Sequence, residues 1–401
     1  LSLLDALFTA TSAVCVTGLI VVDTALYSGF GQLVILLLIQ SGGLGIVTFA
    51  TLYVAVPRRK VSLVNRGIIK DMYIDEVDSD PRTIVRSIVV STLVVELAGA
   101  VVLYARFRAA GGRAGFGAVF HAVSAFCNAG FSTYSTGLNA FVSDPVVNLV
   151  IMLLVVTGGI GFVVLQDIVK VLLGERPRLA YHTRLVLLMT GVLISGAAVF
   201  FLVLEWNGAY ATLAWPDRVM AAIFQAVTPR TAGFDTVPQA NLGLASTALV
   251  LALMFTGGSP GSTAGGVKTT TVFVGLLAAF RGHEEDGSIE FRGGMLSSGA
   301  VARALSILAK AVVLAFMAVL GMLIAESNTH NFLDILFETV SAFGTVGLSR
   351  GITGTLGEAG KAILIGTMFV GRVGLFAMAV SRDDDRLSRF ADFPNEPMLL
   401  G

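Results

Sequence analysis

With 401 residues, 55% of them hydrophobic and only 13% charged, and a mean hydropathy of +0.83, the chain has about half the charge of a soluble domain and needs a bilayer as its solvent. A net charge of +0 offers nothing to a nucleic acid, and two cysteines with no CxxC spacing offer neither a disulfide framework nor a thiolate metal site. No paired carboxylates, nucleophile–base set or metal spacing supports an enzyme, while 45 glycines fit close helix packing and irregular backbone buried at membrane depth.

The chain opens on residues 6–19, Ala-Leu-Phe-Thr-Ala-Thr-Ser-Ala-Val-Cys-Val-Thr-Gly-Leu, an apolar stretch too short to span. A longer apolar segment over 29–56 follows, interrupted at Ser41-Gly42-Gly43-Leu44-Gly45. It ends in the basic run 57–60, with Arg66 and Lys70 beyond, which marks a cytoplasmic loop. Next come an outer helix over 83–104, a second short stretch at 118–131 (Ala-Val-Phe-His-Ala-Val-Ser-Ala-Phe-Cys-Asn-Ala-Gly-Phe) and a span over 146–173 interrupted at Thr157-Gly158-Gly159-Ile160-Gly161. The following loop carries Arg176 and Arg178 on the same inner side. Arg106, Arg108 and Arg113 fall outside, where snorkelling is the only sequence-level reading.

A third unit has an outer helix at 184–206 and a short stretch at 222–234, Ala-Ile-Phe-Gln-Ala-Val-Thr-Pro-Arg-Thr-Ala-Gly-Phe. Its last segment, 242–280, is too long and glycine-rich for one helix. Pro260 and the glycines of 256–271 predict a loop within the membrane that lines a cavity. After a charged linker at 281–292, the fourth unit has spans at 304–325 and 361–380, with Val370-Gly371-Arg372-Val373-Gly374 in the second. Between them residues 335–348 read Ile-Leu-Phe-Glu-Thr-Val-Ser-Ala-Phe-Gly-Thr-Val-Gly-Leu, and a polar inner tail starts at Arg382.

The four short stretches are an internal repeat. Phe8 to Gly18, Phe120 to Gly130 and Phe337 to Gly347 are ten residues each; Phe224 to Gly233 is nine, so the third copy is one residue short. From each of these glycines to the first glycine of the next motif is 24, 28, 24 and 24 residues (Gly42, Gly158, Gly257, Gly371). A short helix running into a Thr-Val-Gly turn predicts a re-entrant pore helix and a strip of exposed carbonyls, which can replace the hydration shell of a potassium ion. Four such strips are expected on one axis: Val16, Thr17 and Gly18; Asn128, Ala129 and Gly130; Thr231, Ala232 and Gly233; Thr345, Val346 and Gly347. One glycine per strip implies a short filter with few ion positions.

These residues resemble the membrane subunit of the Trk/Ktr/HKT potassium-uptake superfamily over nearly the whole chain, with size and tail nearest the bacterial Ktr type. The resemblance implies an all-α membrane protein of four pseudo-symmetric helix–pore loop–helix repeats around a central ion pore. Repeats are placed at 1–70, 71–183, 184–292 and 293–401, the first expected to lack its outer helix. It implies a multi-pass plasma (inner) membrane location, potassium as substrate with sodium open as an activator, a homodimer, and a cytosolic nucleotide-binding regulatory ring of the Ktr/Trk type. It also makes the unit-three loop the gate, here Gly257, Gly258, Gly261, Gly265, Gly266 and Lys268, with Arg372 part of the constriction. Intramembrane charges such as Lys268 and Arg372 point to function on their own account.

Other features carry less. Residues 261–269 nearly read as a phosphate-binding loop, but Val267 separates Gly266 from Lys268 and no strand precedes it. His121 and Glu338 share a repeat position with Thr9 and Gln225 and read as packing or hydrogen-bonding residues. Cys15 and Cys127, three residues before their glycines, read as inert packing thiols. Asp23 and Asp235 lie just past filters one and three, where each is either a mouth charge or an ordinary loop carboxylate. The rival function is an ion-coupled secondary transporter, a sodium- or proton-coupled cation symporter. It also uses repeats and broken helices but binds its cargo through side chains.

Overall fold

The computed structural model describes residues 2–55, 81–110, 114–281 and 287–374. The basic run 57–60, Arg66, Lys70, Arg113 and the tail from Arg382 lie outside the described residues. In chain order the helices are α1 (Leu3–Val14), α2 (Gly29–Ala55), α3 (Pro81–Ala110), α4 (Ala114–Phe126), α5 (Pro145–Ile160), α6 (Phe162–Leu172) and α7 (Tyr181–Glu205). They continue as α8 (Trp215–Val227), α9 (Leu244–Phe255), α10 (Thr269–Phe280), α11 (Ser298–Glu326), α12 (Phe332–Gly344) and α13 (Glu358–Phe369), closed by a π turn over Val370–Gly374.

Among the described residues α3, α7 and α11 are long and apolar enough to cross a bilayer. They are the outer helices expected for units two, three and four. Their exposed faces carry Leu93, Val94 and Leu97, then Val199, Phe200 and Val203, then Val312, Val313 and Phe316, apolar rows that suit lipid contact. Inside them stand the short helices α1, α4, α8 and α12, of 12 or 13 residues. Ser2 and Asn331 start two of these by accepting the N–H groups of Asp5 (3.1 Å) and Asp334 (2.9 Å).

Each outer helix is tied at its end to the start of the helix that follows the short stretch in its own unit. Glu205 accepts the N–H of Gly243 (2.9 Å) and Glu326 that of Gly357 (2.8 Å), which satisfies a helix-start donor with a carboxylate. In unit two the charges are exchanged: Asp144 caps α5 and pairs with Arg106 at 2.8 Å. Arg106 is therefore an end tie, more than the snorkelling residue the sequence suggested.

The second helices differ from the expectation of four equal breaks. In unit one α2 runs without interruption through Gly42, Gly43 and Gly45. In unit two the chain bends by 103° between α5 and α6, at Gly161 with φ +97°. Unit three opens into the loop between α9 and α10, and unit four relaxes into the π turn. The common job of the motif is close approach. A Cβ on Gly42, Gly158 or Gly371 would collide with the carbonyl of Val14, Phe126 or Phe343, the residue four before the filter glycine of the same unit. A small hairpin straddles the end of the predicted linker, β1 (Ile289–Phe291) with β2 (Gly294–Leu296), turned by Arg292 and Gly293 at φ +48° and +77°.

Candidate functional site

The four predicted strips meet. A Cβ built on Gly130 would lie 2.7 Å from Gly233 Cα, one on Gly233 3.3 Å from Gly347 Cα, one on Gly347 3.0 Å from Gly18 Cα, and one on Gly18 3.3 Å from Gly130 Cα. The ring thus closes in the order one, two, three, four. In each gap stands the carbonyl of the residue before the neighbouring glycine. Ala232 O is 2.9 Å and Val346 O 2.5 Å from the Cβ positions of Gly130 and Gly233; Ala129 O and Thr17 O crowd Gly18 and Gly347 still more closely. No side chain fits inside this ring, so backbone alone lines it.

The backbone repeats with it. Gly18, Gly130, Gly233 and Gly347 have φ of +95°, +69°, +75° and +92°. Two residues earlier Val16, Asn128, Thr231 and Thr345 also have positive φ, +55°, +60°, +69° and +49°. For Val and Thr this is a costly conformation, and finding it four times at one repeat position marks a geometry imposed by the ring.

A hydroxyl in the last turn of each pore helix holds the strip. Ser12 and Ser341 accept the N–H of Gly18 and Gly347 at 3.1 Å each. Ser124 donates to Phe131 O at 2.8 Å, and Thr228 donates to Phe234 O. The missing residue of the third copy is absorbed in the same turn. The N–H groups of Thr17, Ala129 and Val346 reach back five residues, to Ser12, Ser124 and Ser341, whereas that of Ala232 reaches back four, to Thr228. Sequence reasoning passed over these hydroxyls although Ser/Thr recurs in all four copies.

Three strip hydroxyls, Thr17 Oγ1, Thr231 Oγ1 and Thr345 Oγ1, are buried and find no protein partner among the described residues. Buried polar groups are ordinarily paired, and these three keep unused hydrogen-bonding capacity.

All the predicted gate residues also come together. The loop passes beneath strip four: a Cβ on Gly265 would strike Thr345 Oγ1, and one on Gly266 would lie 3.2 Å from Gly344 O. Within the loop, Gly257 N–H donates to Val267 O (2.8 Å) and Thr269 N–H to Gly258 O (3.0 Å). The loop fills the break in unit two. Ser259 N–H donates to Gly159 O (3.0 Å), Thr263 N–H to Gly158 O (3.2 Å), and Phe162 N–H to Gly261 O (3.0 Å). The backbone groups freed at Gly161 are thereby satisfied at membrane depth. The predicted loop is thus pinned by backbone hydrogen bonds in this conformation.

Two cations complete it. Lys268 Nζ turns back onto Ala264 O at 2.7 Å. Arg372, 7% exposed, donates to Thr263 O in the loop and to Gly42 O (2.9 Å) in α2, so one guanidinium straps unit three to unit one. Of the mouth carboxylates, Asp23 is engaged as a cap on Ala25 N–H at 2.9 Å. Burial pushes the Asp235 carboxyl up to about 6. Cys15 and Cys127 are buried free thiols, as read from sequence.

Residues 1–389 match the TrkH family model, described as a cation transport protein. The chain belongs to this family. It is 39% identical over 98% of its length to Ktr system potassium uptake protein B of Bacillus subtilis, covering 89% of that protein. It is 35% identical over 99% to potassium/sodium uptake protein NtpJ of Enterococcus hirae, covering 90%. In fold it matches the crystal structure of the potassium transporter TrkH from Vibrio parahaemolyticus, with a TM-score of 0.75 at 20% identity over 95% of this chain and 78% of that one. The chain is accordingly a predominantly helical, multi-pass protein of the plasma membrane, and its family is one of cation transporters.

Proposed function

We propose that the chain is the channel-like membrane subunit of a potassium-uptake system. Gly18, Gly130, Gly233 and Gly347, with the strip residues before them, form the selectivity filter, and the loop at 257–271 with Arg372 forms the gate below it. The observation that carries this reading is the closed ring of four glycines and four carbonyls, one of each from every unit. Backbone carbonyls at fixed spacing replace a hydration shell without a charged side chain, which suits a monovalent cation that must also leave. The orphan threonine hydroxyls add oxygen ligands beside it. The repeat boundaries at 70/71, 183/184 and 292/293 follow from the same fourfold scheme.

The names of the relatives support potassium as cargo, and the Enterococcus protein's name extends the choice to sodium. Pairing as a homodimer and control by a cytosolic nucleotide-binding ring belong to the same proposal, as does sodium as activator. Radioactive potassium uptake into potassium-starved bacteria lacking other importers, with and without external sodium, tests it. Uptake above the empty-vector level is expected. Uptake that strictly requires sodium, with sodium entering in fixed proportion, would favour the symporter.

A further inference from the structure

The pore-helix position nine residues before the filter glycine (eight in the shortened third copy) holds Thr9, His121, Gln225 and Glu338, four different and fully or nearly fully buried polar side chains. Each reaches the chain that leaves the filter on the far side. Thr9 Oγ1 lies 3.1 Å from Tyr27 OH. Gln225 and Gln239 exchange amide hydrogen bonds at 2.8 and 3.1 Å. His121 Nδ1 donates to Gly117 O at 2.7 Å, which leaves Nε2 to accept from Ser132 Oγ at 2.9 Å. Glu338 accepts from Ser349 Oγ with one oxygen and from Thr353 Oγ1 with the other at 3.0 Å.

Units two and four are alike beyond this. Ser132 and Ser349 both stand two residues after the filter glycine. Both also accept the N–H two residues further on, Tyr134 at 3.0 Å and Gly351 at 2.8 Å. By the order in which the ring closes, these two strips are diagonally opposite. Each diagonal serine is therefore locked twice, once to its own turn and once to a pore-helix acceptor.

We propose that these four side chains are positioning residues that hold the outer end of each strip in register, and that Glu338 matters most for ion preference. It is the one strut that accepts from two different residues beyond the filter, Ser349 and Thr353. The inference rests on the filter reading above. It differs from ordinary helix packing because each contact spans the strip itself and so constrains the carbonyls between its ends.

The test measures the ratio of potassium to sodium uptake, per amount of membrane-inserted protein, for wild type, Glu338→Gln, Glu338→Ala, Ser349→Ala and the double alanine variant. Glu338→Ala is expected to lower the ratio by about tenfold, the scale of losing buried hydrogen bonds. Glu338→Gln, which keeps one acceptor oxygen for the two hydroxyls, is expected to fall between wild type and the alanine variant, with a loss of about threefold. Ser349→Ala should reproduce most of the loss, and the double variant should be no worse than Glu338→Ala, because both remove one strut. If Glu338→Ala fails to insert, Ser349→Ala alone decides. A selective wild type with unchanged ratios in the alanine variants overturns the strut and leaves the filter standing. A wild type that does not distinguish the two ions overturns both.

Discussion

The ring of glycines and the loop beneath it are both irregular backbone buried in the membrane, yet they are held by different forces. Around the ring every unit presses on the next through atoms that cannot yield: a Cβ on Gly347 would meet Gly18 Cα at 3.0 Å and crowd the Thr17 carbonyl. The loop is held by hydrogen bonds to the break at Gly161 and by Arg372. Steric contact has one solution, whereas hydrogen bonds can be exchanged for others, with water among the partners. The first arrangement suits discrimination between ions and the second suits opening and closing.

The largest effect is expected where the steric half is broken. Gly347→Ser places a side chain at φ +92° with no space inside the ring. The strip must rotate or spread, at a strain of roughly 1–3 kcal/mol. At about 1.4 kcal/mol per factor of ten, the potassium-to-sodium uptake ratio should fall about tenfold or more at matched membrane levels. An unchanged ratio in the same cells would remove the filter assignment.

The ring was legible in the sequence because it is a repeat. Four Phe-to-Gly spacings and four downstream glycines located every strip, and even the shortened third copy was visible before its turn was seen to take up the difference. The positive φ of Val16, Thr231 and Thr345 was not legible. β-Branched residues are poor choices for it, and the constraint comes from neighbouring units. The glycine motifs were visible and read as four equal breaks, which holds in units two and three and fails in α2, because sequence does not distinguish a glycine needed for φ from one needed for contact. Gly42 serves contact and Gly161 serves φ. The docking of the loop on Gly158, Gly159 and Phe162 joins residues about a hundred positions apart, and no local pattern announces it.

The hydrogen-bonded half should respond in the opposite direction. Arg372→Ala removes the strap between Thr263 O and Gly42 O together with a buried cation near the path. At an effective dielectric of about 20, such a charge opposes a passing potassium ion by several kcal/mol at contact range. Potassium flux into liposomes should rise about tenfold or more, while the potassium-to-sodium ratio keeps its wild-type value. Shortening the loop within 257–271 should raise flux similarly, and the two changes together should give less than the product, because both open one constriction. Folded protein with flux at or below wild type in both single variants would make the loop structural.

The smallest effect concerns the mouth, on the rigid side of the comparison. Asp235 stands two residues beyond Gly233, and burial pushes its carboxyl up to about 6. A carboxyl with a raised pKa is charged above that value and neutral below it. Its attraction for cations at the mouth is therefore present at neutral external pH and lost as the pH falls through about 6. The expected change in uptake at low external potassium is modest, about twofold or less, because one carboxyl beyond the ring only adds to the attraction of the strip carbonyls. Asp235→Asn should flatten this step and lower uptake at neutral pH by the same factor, with no effect at saturating potassium. Asp23→Asn provides the contrast. Asp23 caps Ala25 N–H, a role asparagine fills equally well, so the pH profile should keep its step. A step that survives Asp235→Asn would assign the acid sensitivity to another group and leave the ring, without help from the mouth, as the source of ion preference.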